Sequence, residues 1–365
     1  MLRPIPSLLA LCAAMLVAAP SIAADPNGYW GNDGSDMGDT GGAGLRNGYP
    51  VEPGDWAGLG DKDDPLRLEF GVRYWYSMGA ADWSDLAGHF TATDTSHIGE
   101  AHLRIEDHST DTYASAIGGY AFKLDGTFDD PNDTGSISGG HIGYLGADIG
   151  WNSWGNHNGS GIGPLVGYMY WNDSPNTTRS GFTTAESASD ITFDPTTGAT
   201  GVPLDSKPNN IDIHMLRLGV QGKGDLGFAD ITGSLAAVPY AKVNGVLGND
   251  ATSTTYTGGL GNIDTIKASE TTLDGWGYGA MADVMLRMHP TQNWTIGIGG
   301  RAWYLQGTAD ATYATATIGD PSDSDAVNPP NYDTGPGFNK QYFIEPANPF
   351  ALMRFGLLAE ITYSF

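Results

Sequence analysis

Cysteine is almost absent from this chain. The one such residue, Cys12, lies inside an N-terminal apolar run, so the rest of the chain has no thiol from which to build a disulfide. Long hydrophobic runs are absent as well: after the first 24 residues, no stretch reaches the roughly 18 consecutive apolar residues of a membrane-crossing helix. Basic residues are scarce, 17 Lys and Arg against 42 Asp and Glu, for a formal net charge of −25. That balance argues against nucleic acid as a partner, because phosphate backbones are bound by basic surfaces. What is present excludes a wholly disordered acidic chain: 40% of the 365 residues are hydrophobic, with 10 Trp and 17 Tyr. Length alone permits two soluble domains, so the pattern along the chain has to decide.

Residues 1–24 read as a secretory signal peptide. Arg3 gives a positive start, Leu8 to Ala19 is the apolar stretch, and Ser21, Ala23 and Ala24 supply the small residues of a cleavage site. The stretch is too short for a stable membrane span. Leu11 precedes Cys12 where a lipid-anchor signal needs a small residue, so no lipidation is expected. A secreted domain without disulfides must be stabilised some other way, and a closed barrel, in which every backbone group pairs around the ring, is one. Residues 25–64 are acidic and rich in Gly and Asn without apolar periodicity, and read as a disordered leader. Trp30 and Trp56 within it are incidental or tuck against the mouth of the folded part.

After Pro65, Leu66, Leu68, Phe70, Val72, Tyr74 and Tyr76 alternate with Arg67, Glu69, Gly71, Arg73, Trp75 and Ser77. The run is longer than the soluble strand of about 5–6 residues and suits a tilted membrane strand of about 9–11. About ten such segments follow, near 66–78, 97–107, 112–124, 141–152, 160–172, 210–222, 228–245, 275–289, 293–307 and 350–365. Short links follow the even segments: His108 to Asp111, Ser153 to Gly159, Lys223 to Gly227, and Pro290 to Gln292. Long links follow the odd ones, the longest near 173–209, 246–274 and 308–349. Short turns on one side and long loops on the other form the pattern of outer-membrane barrels. An even strand count puts both barrel ends, and the leader, on the periplasmic side.

In the last segment Phe355, Leu357, Ala359, Ile361, Tyr363 and Phe365 point one way, and Arg354, Gly356, Leu358, Glu360, Thr362 and Ser364 the other. Ile361, Tyr363 and a final Phe365 resemble the closing strand of Gram-negative outer-membrane β-barrel proteins. The resemblance implies an outer-membrane location, the barrel-assembly machinery as a biogenesis partner, and lipid and lipopolysaccharide as surroundings.

Alternation also assigns faces. Tyr74, Tyr76, Trp151, Trp171, Trp276, Tyr278, Trp294, Tyr304 and Tyr363 are expected in aromatic girdles on the lipid side. The lumen side is expected to carry a charge ladder: Arg67, Glu69, Arg73, Glu100, His102, Arg104, Glu106, Lys123, Asp148, Arg217, Asp283, Arg287, Arg301, Arg354 and Glu360. An arginine facing lipid at midplane costs about 2–4 kcal/mol, so inward is its comfortable placement. Two readings fit the ladder. One is a salt-bridged plug in a narrow barrel; the other is an arginine-lined eyelet for small anionic solutes. Eight strands leave an interior just filled by side chains and wide porins need 16–18, so about ten favours the plug.

The acidic excess lies elsewhere, at Asp61, Asp63 and Asp64, at Asp125, Asp129, Asp130 and Asp133, and at Asp320, Asp323 and Asp325. The Asp129–Asp133 run lacks the ordered spacing of a calcium loop and reads as a solvated acidic loop. Ten strands and five long loops over about 66–365 are similar to the omptins, the outer-membrane proteases. Omptins use paired aspartates on one outer loop and an Asp-x-His pair on the fourth. Here the fourth loop, Val246 to Asp274, has no histidine; the Asp-x-His is Asp212–His214, at the head of the sixth segment. Asp129 and Asp130 match half of the aspartate pair, so the set is incomplete. The His-x-Ser-Asn-Gly of outer-membrane phospholipases has its nearest match in Asn156–His157–Asn158–Gly159–Ser160, which lacks the serine and falls in a short turn. His97, His102 and His141 lack metal spacing.

The expectation is an all-β, antiparallel transmembrane barrel of about ten strands, with eight or twelve as alternatives, and a hairpin near Ile191 to Val202 rising above the membrane. No catalytic set, metal or cofactor is expected. The expected role is structural or surface-interacting through long acidic loops, with a narrow channel and an omptin-like protease as alternatives.

Overall fold

The computed structural model describes residues 66–85, 88–130, 133–152, 154–156, 160–177, 181–247, 255–258, 265–322 and 332–365. The expected signal peptide 1–24 and leader 25–64, with Cys12, Trp30, Trp56, Asp61, Asp63 and Asp64, lie outside the described residues, as do His157, Asp323 and Asp325.

Ten long strands dominate the described residues: β1 (Leu66–Asp85), β2 (Gly88–Asp107), β3 (Thr112–Asp130), β4 (Gly140–Trp151), β5 (Ser160–Pro175), β6 (Asn210–Asp225), β7 (Ala229–Leu247), β8 (Thr271–Met288), β9 (Trp294–Ile318) and β10 (Phe338–Ser364). Each pairs antiparallel with its chain neighbours, and β1 pairs with β10 from Glu69↔Ser364 to Trp83↔Phe350, which closes the ring. Each segment expected from alternation is one of these strands.

The ring is apolar outside. On β1, Phe70, Val72, Tyr74, Tyr76 and Met78 are exposed, while Glu69, Trp75 and Ser77 between them are buried. This suits a hydrocarbon exterior. Trp294 and Tyr304 are both exposed on β9. Ten residues at about 3.3 Å each, tilted by about 40°, set them roughly 25 Å apart, the height of an outer-membrane apolar band. No helix of the described residues is long and apolar enough to cross a membrane.

Turn chemistry explains the short links. Asp107 accepts from the Ser109 amide at 2.9 Å and its hydroxyl at 2.5 Å, and Asp111 adopts φ 53°. Gly227, at φ 84°, donates its amide to Asp225 at 2.6 Å. Asp and Gly tolerate these left-handed conformations.

The long links are partly strand. β1 and β2 pair out to Asp85↔Gly88, and Asp133–Ser138 folds back on Asp125–Asp130 of β3. β9 and β10 run 25 and 27 residues, far more than a membrane crossing uses. The hairpin expected near Ile191 to Val202 forms: Thr192↔Gly201 and Phe193↔Thr200 pair, and Thr200–Asp205 also pairs with Phe182–Thr183 and Thr255–Gly258. Ala185, Ile191, Val202 and Ile318 make a small apolar core there, with Ile266 and Phe338 against it.

Two sequence assignments are corrected. Lys123 was expected inward but is outward and exposed, with Asp125 at 2.7 Å. The register shifts at this point, His97 opposing Lys123 and Ile98 opposing Ala121, so a bulge adds Phe122 and reverses the faces above it. Trp171 was expected on the lipid side but is 1% exposed in the interior. Around it β5 is apolar on both faces, so hydropathy does not distinguish them.

Candidate functional site

The barrel interior is built in two layers. Nearer the short-turn end lies the charge layer. Glu100 accepts from Arg73 Nη1 at 3.0 Å, Arg301 Nη1 at 2.6 Å and the Tyr144 hydroxyl at 2.6 Å. Arg73 Nε also donates to Glu360 at 2.6 Å, and Arg301 Nε to Asp283 at 3.3 Å. Arg287 bridges Glu69 and Glu360, the latter at 2.8 Å. His102 sits between the same two carboxylates, at 3.8 and 3.9 Å. Across β4 to β6, Arg217 meets Asp148 at 3.1 Å. At the short-turn rim, Arg104 donates to Glu106 at 2.7 Å and to Gln221 at 3.2 Å, and Arg67 to Ser364 at 3.1 Å.

Six of the seven inward arginines thus stand within 4.0 Å of a carboxylate. Charges removed from water are tolerable only when paired in this way. The side chains of Glu100 and Glu360 are fully buried. Among the described residues, the arginines of this layer are thus held in ion pairs.

Above it lies an aromatic layer. Tyr144 stacks on Trp171 at 4.9 Å and 5°, Trp303 meets Trp171 edge-on at 5.0 Å, and Trp75 meets both Tyr144 and Trp171 edge-on at 6.2 Å. Arg301 lies over Trp75 at 5.2 Å and Arg354 over Trp171 at 5.7 Å, so guanidiniums flank the rings. Arg354 is held by Asp94 at 2.7 and 2.8 Å, Ser96 at 2.9 Å and Ser77 at 3.2 Å. Beyond it, Phe350, Leu352 and Leu305 continue the buried core, while Ile98 lies opposite Trp75.

Sequence reasoning missed Asp94, Tyr144 and the three tryptophans. Asp94 fell in a stretch read as loop, yet Asp94, Ser96 and Ile98 continue the inward parity of Glu100. Trp171 was placed outward because an apolar lumen residue looks like a lipid-facing one, and Trp75, though on the inward parity, carries no charge to single it out.

The other expected residues lie outside this interior. Ile361 and Phe365 are exposed on the outer wall, where Tyr363 packs edge-on against Trp294 at 5.1 Å and Phe365 at 4.8 Å. Asp212 and His214 also face outward on β6: the Tyr170 hydroxyl donates to Asp212 at 2.6 Å, and Tyr168 Oη lies 2.6 Å from His214 Nδ1. His97 and His141 face outward and His102 inward, so the three do not converge.

No protein-family model matches the chain, and no curated protein does. Among solved structures it is similar to the outer membrane protease OmpT from Escherichia coli, with TM-score 0.50 and 8% identity over 82% of this chain and 96% of that one. It is also similar to the translocator domain of autotransporter NalP from Neisseria meningitidis, with TM-score 0.33 and 11% identity over 85% and 92%. A third is the P. putida toluene transporter TodX, with TM-score 0.29 and 10% identity over 82% and 90%. At 8% identity the likeness to OmpT is one of fold alone. The chain has the fold of an outer-membrane β-barrel.

Proposed function

We propose that this chain is an integral protein of the bacterial outer membrane with a closed lumen, acting as a structural or surface-interaction barrel through its extracellular hairpins. One observation carries the reading: the cross-section from the Glu100–Arg301 pair to the Trp75, Tyr144, Trp171 and Trp303 rings is filled with paired charge and packed aromatics. A narrow barrel filled in this way is rigid rather than conducting. The hairpin of β9 and β10 supports the second half of the reading. It rises past the end of β1 and leaves Tyr342 and Ile344 exposed at 68% and 72%. Exposed apolar side chains beyond the lipid belt suit contact with another molecule.

The test is single-channel recording of the refolded barrel in a planar bilayer, for wild type and for Arg301→Ala with Arg354→Ala. Wild type is expected to be silent. A steady, anion-favouring wild-type current that changes in the double variant would make the barrel a narrow channel and overturn the proposal. Exchanging the extracellular hairpins for short turns should abolish surface binding; binding that survives the exchange would remove the hairpins from the role.

A further inference from the structure

The wall ends in an open strand edge. β10 pairs with β1 only as far as Trp83↔Phe350, yet it extends back to Phe338, paired over that stretch with β9. Among the described residues, no strand pairs with residues 338–344 on the side that β1 has left.

A bend sets this edge apart from the wall. Between Ala309↔Asn348 and Ala311↔Glu345, β10 carries one residue more than β9, and such a bulge turns a strand away from its neighbour. Ala347 lies there at φ 60°, a conformation rare for alanine, and its amide donates to Asp310 Oδ1 at 2.8 Å. Pro346 and Pro349 have no N–H to give to a ladder, and Asn348 Nδ2 donates to the Glu345 carbonyl at 2.9 Å. Pairing along the edge is thus blocked at the bend. Beyond it the register with β9 runs unbroken to Ile318↔Phe338, and Thr265–Lys267 pairs with β9 in turn. The edge is the rim of a preformed three-stranded sheet. Tyr342 and Ile344 on one face of it are exposed, as are Asn339 and Gln341 on the other. Its single charge, Lys340, is held by Glu186 at 2.5 Å.

We propose that this edge takes up an extended segment of another protein as an added strand. The proposal names the partner and the binding mode of the surface-interaction role argued above, and rests on it. In a paired strand every second residue turns its N–H and C=O to the same side. The free side of 338–344 is therefore a row of donors and acceptors that an extended backbone matches. The added segment is uncharged, because the one charge of the edge is already paired. It is apolar at every second position, because those residues stand opposite Tyr342 and Ile344, with Cβ atoms about 4.5–5.5 Å away. A second copy of this chain is the poorer occupant, since two chains of net charge −25 repel.

The experiment measures fluorescence anisotropy of two labelled peptides of alternating valine and threonine, about seven residues long, against the full chain in lipid nanodiscs. One peptide is plain; the other is N-methylated at consecutive central residues, so that neither of its edges can pair. Wild type should bind the plain peptide saturably at one site and the methylated one at least tenfold more weakly. Tyr342→Lys with Ile344→Lys should bind the plain peptide at least tenfold more weakly while still showing the heat-modifiable gel shift of a folded barrel. Should that variant fail to fold, the two peptides on wild type decide the question. Equal binding of the two peptides, unchanged binding by the folded variant, or no saturable binding by folded wild type would overturn the edge. A wild-type dimer in light scattering that the variant loses would give the edge to a second copy and overturn the assigned partner. Surface binding that survives exchange of the extracellular hairpins would overturn the surface role itself, which a missing peptide complex alone leaves standing.

Discussion

Glu100 joins the charge layer to the aromatic layer, so replacing it tests whether the interior is a load-sharing plug. Its carboxylate accepts from Arg73, Arg301 and Tyr144 and is fully buried. Removing one partner of a buried ion pair costs about 3–5 kcal/mol, because a charge is left uncompensated. Here the losses are cushioned: Arg73 keeps Glu360 at 2.6 Å, and Arg301 keeps Asp283 at 3.3 Å. Glu100→Leu is therefore expected near the lower end, about 3 kcal/mol, or roughly two decades in the unfolding equilibrium. Arg301→Leu in the same background should cost less than it does alone, because the guanidinium it removes has already lost its best partner. The assay is urea unfolding of the barrel in phospholipid vesicles, followed by tryptophan fluorescence. A single-variant loss below about 1 kcal/mol, or strictly additive losses in the pair, would refute the shared network.

Arg354→Leu strands Asp94 and should lower the unfolding temperature by roughly 5–10 °C, and Glu360→Leu, which leaves Arg73 with Glu100 alone and Arg287 with Glu69 alone, should lower it by less; thermal melts of the refolded barrel read both, and unchanged melts would take these residues out of the network. Lys123→Ala should leave the melt unchanged, since its pair with Asp125 lies in solvent; a clear loss would restore Lys123 to the interior. Trp171→Ala with Trp303→Ala should turn a silent barrel into one with flickering conductance, and continued silence would move the seal to the charge layer. Outside the membrane, amide bonds from Glu186, with further bonds from Ser187, hold Asp190 below its ordinary carboxylate range, and those from Thr196 and Thr197 hold Asp194 there. Because both folded values are depressed, this turn stability is present above about pH 4 and is lost as pH falls through the depressed values. Protection factors for amide exchange over 186–198, taken against the intrinsic rate at each pH, should therefore fall in acid, and pH-independent protection would contradict the reading.

The barrel was legible because a membrane wall imposes a period of two over long runs, and the ten runs from Leu66 to Ser364 follow it except at a few bulges. The arginines were legible for a different reason: a cation on the lipid side is so costly that charge alone fixes its face. Lys123 shows the limit of counting, since one extra residue at Phe122 exchanges the faces and leaves no mark in composition. Trp171 shows the limit of hydropathy, because where the lumen is itself apolar both sides of a strand read alike. Asp94 was hidden by loop-like composition in a stretch that is strand, its register carried by pairing with Gly79 and Gly126.

The same ambiguity is a problem the molecule must solve in order to fold. On β5, Leu165, Met169 and Trp171 face inward while Val166 and Tyr168 face outward. A one-residue slip would exchange two apolar sets at little hydrophobic cost. The row Asp148↔Gly167↔Arg217 removes that freedom. The ion pair from β4 to β6, at 3.1 Å, passes over β5 at Gly167, where a Cβ would collide with Asp148 Oδ1. A slip would bring Val166 or Tyr168 into the row and exclude the pair. Gly167→Ala should consequently cost about 3 kcal/mol, comparable to breaking the ion pair itself. In a background already carrying Asp148→Leu and Arg217→Leu, the same alanine has no pair to displace, keeps only its 2.9 Å approach to the Ala147 carbonyl, and should cost clearly less. Urea unfolding of the four proteins in vesicles measures both values. If Gly167→Ala costs the same in the two backgrounds, the glycine serves the backbone rather than the ion pair, and the register of β5 is set elsewhere.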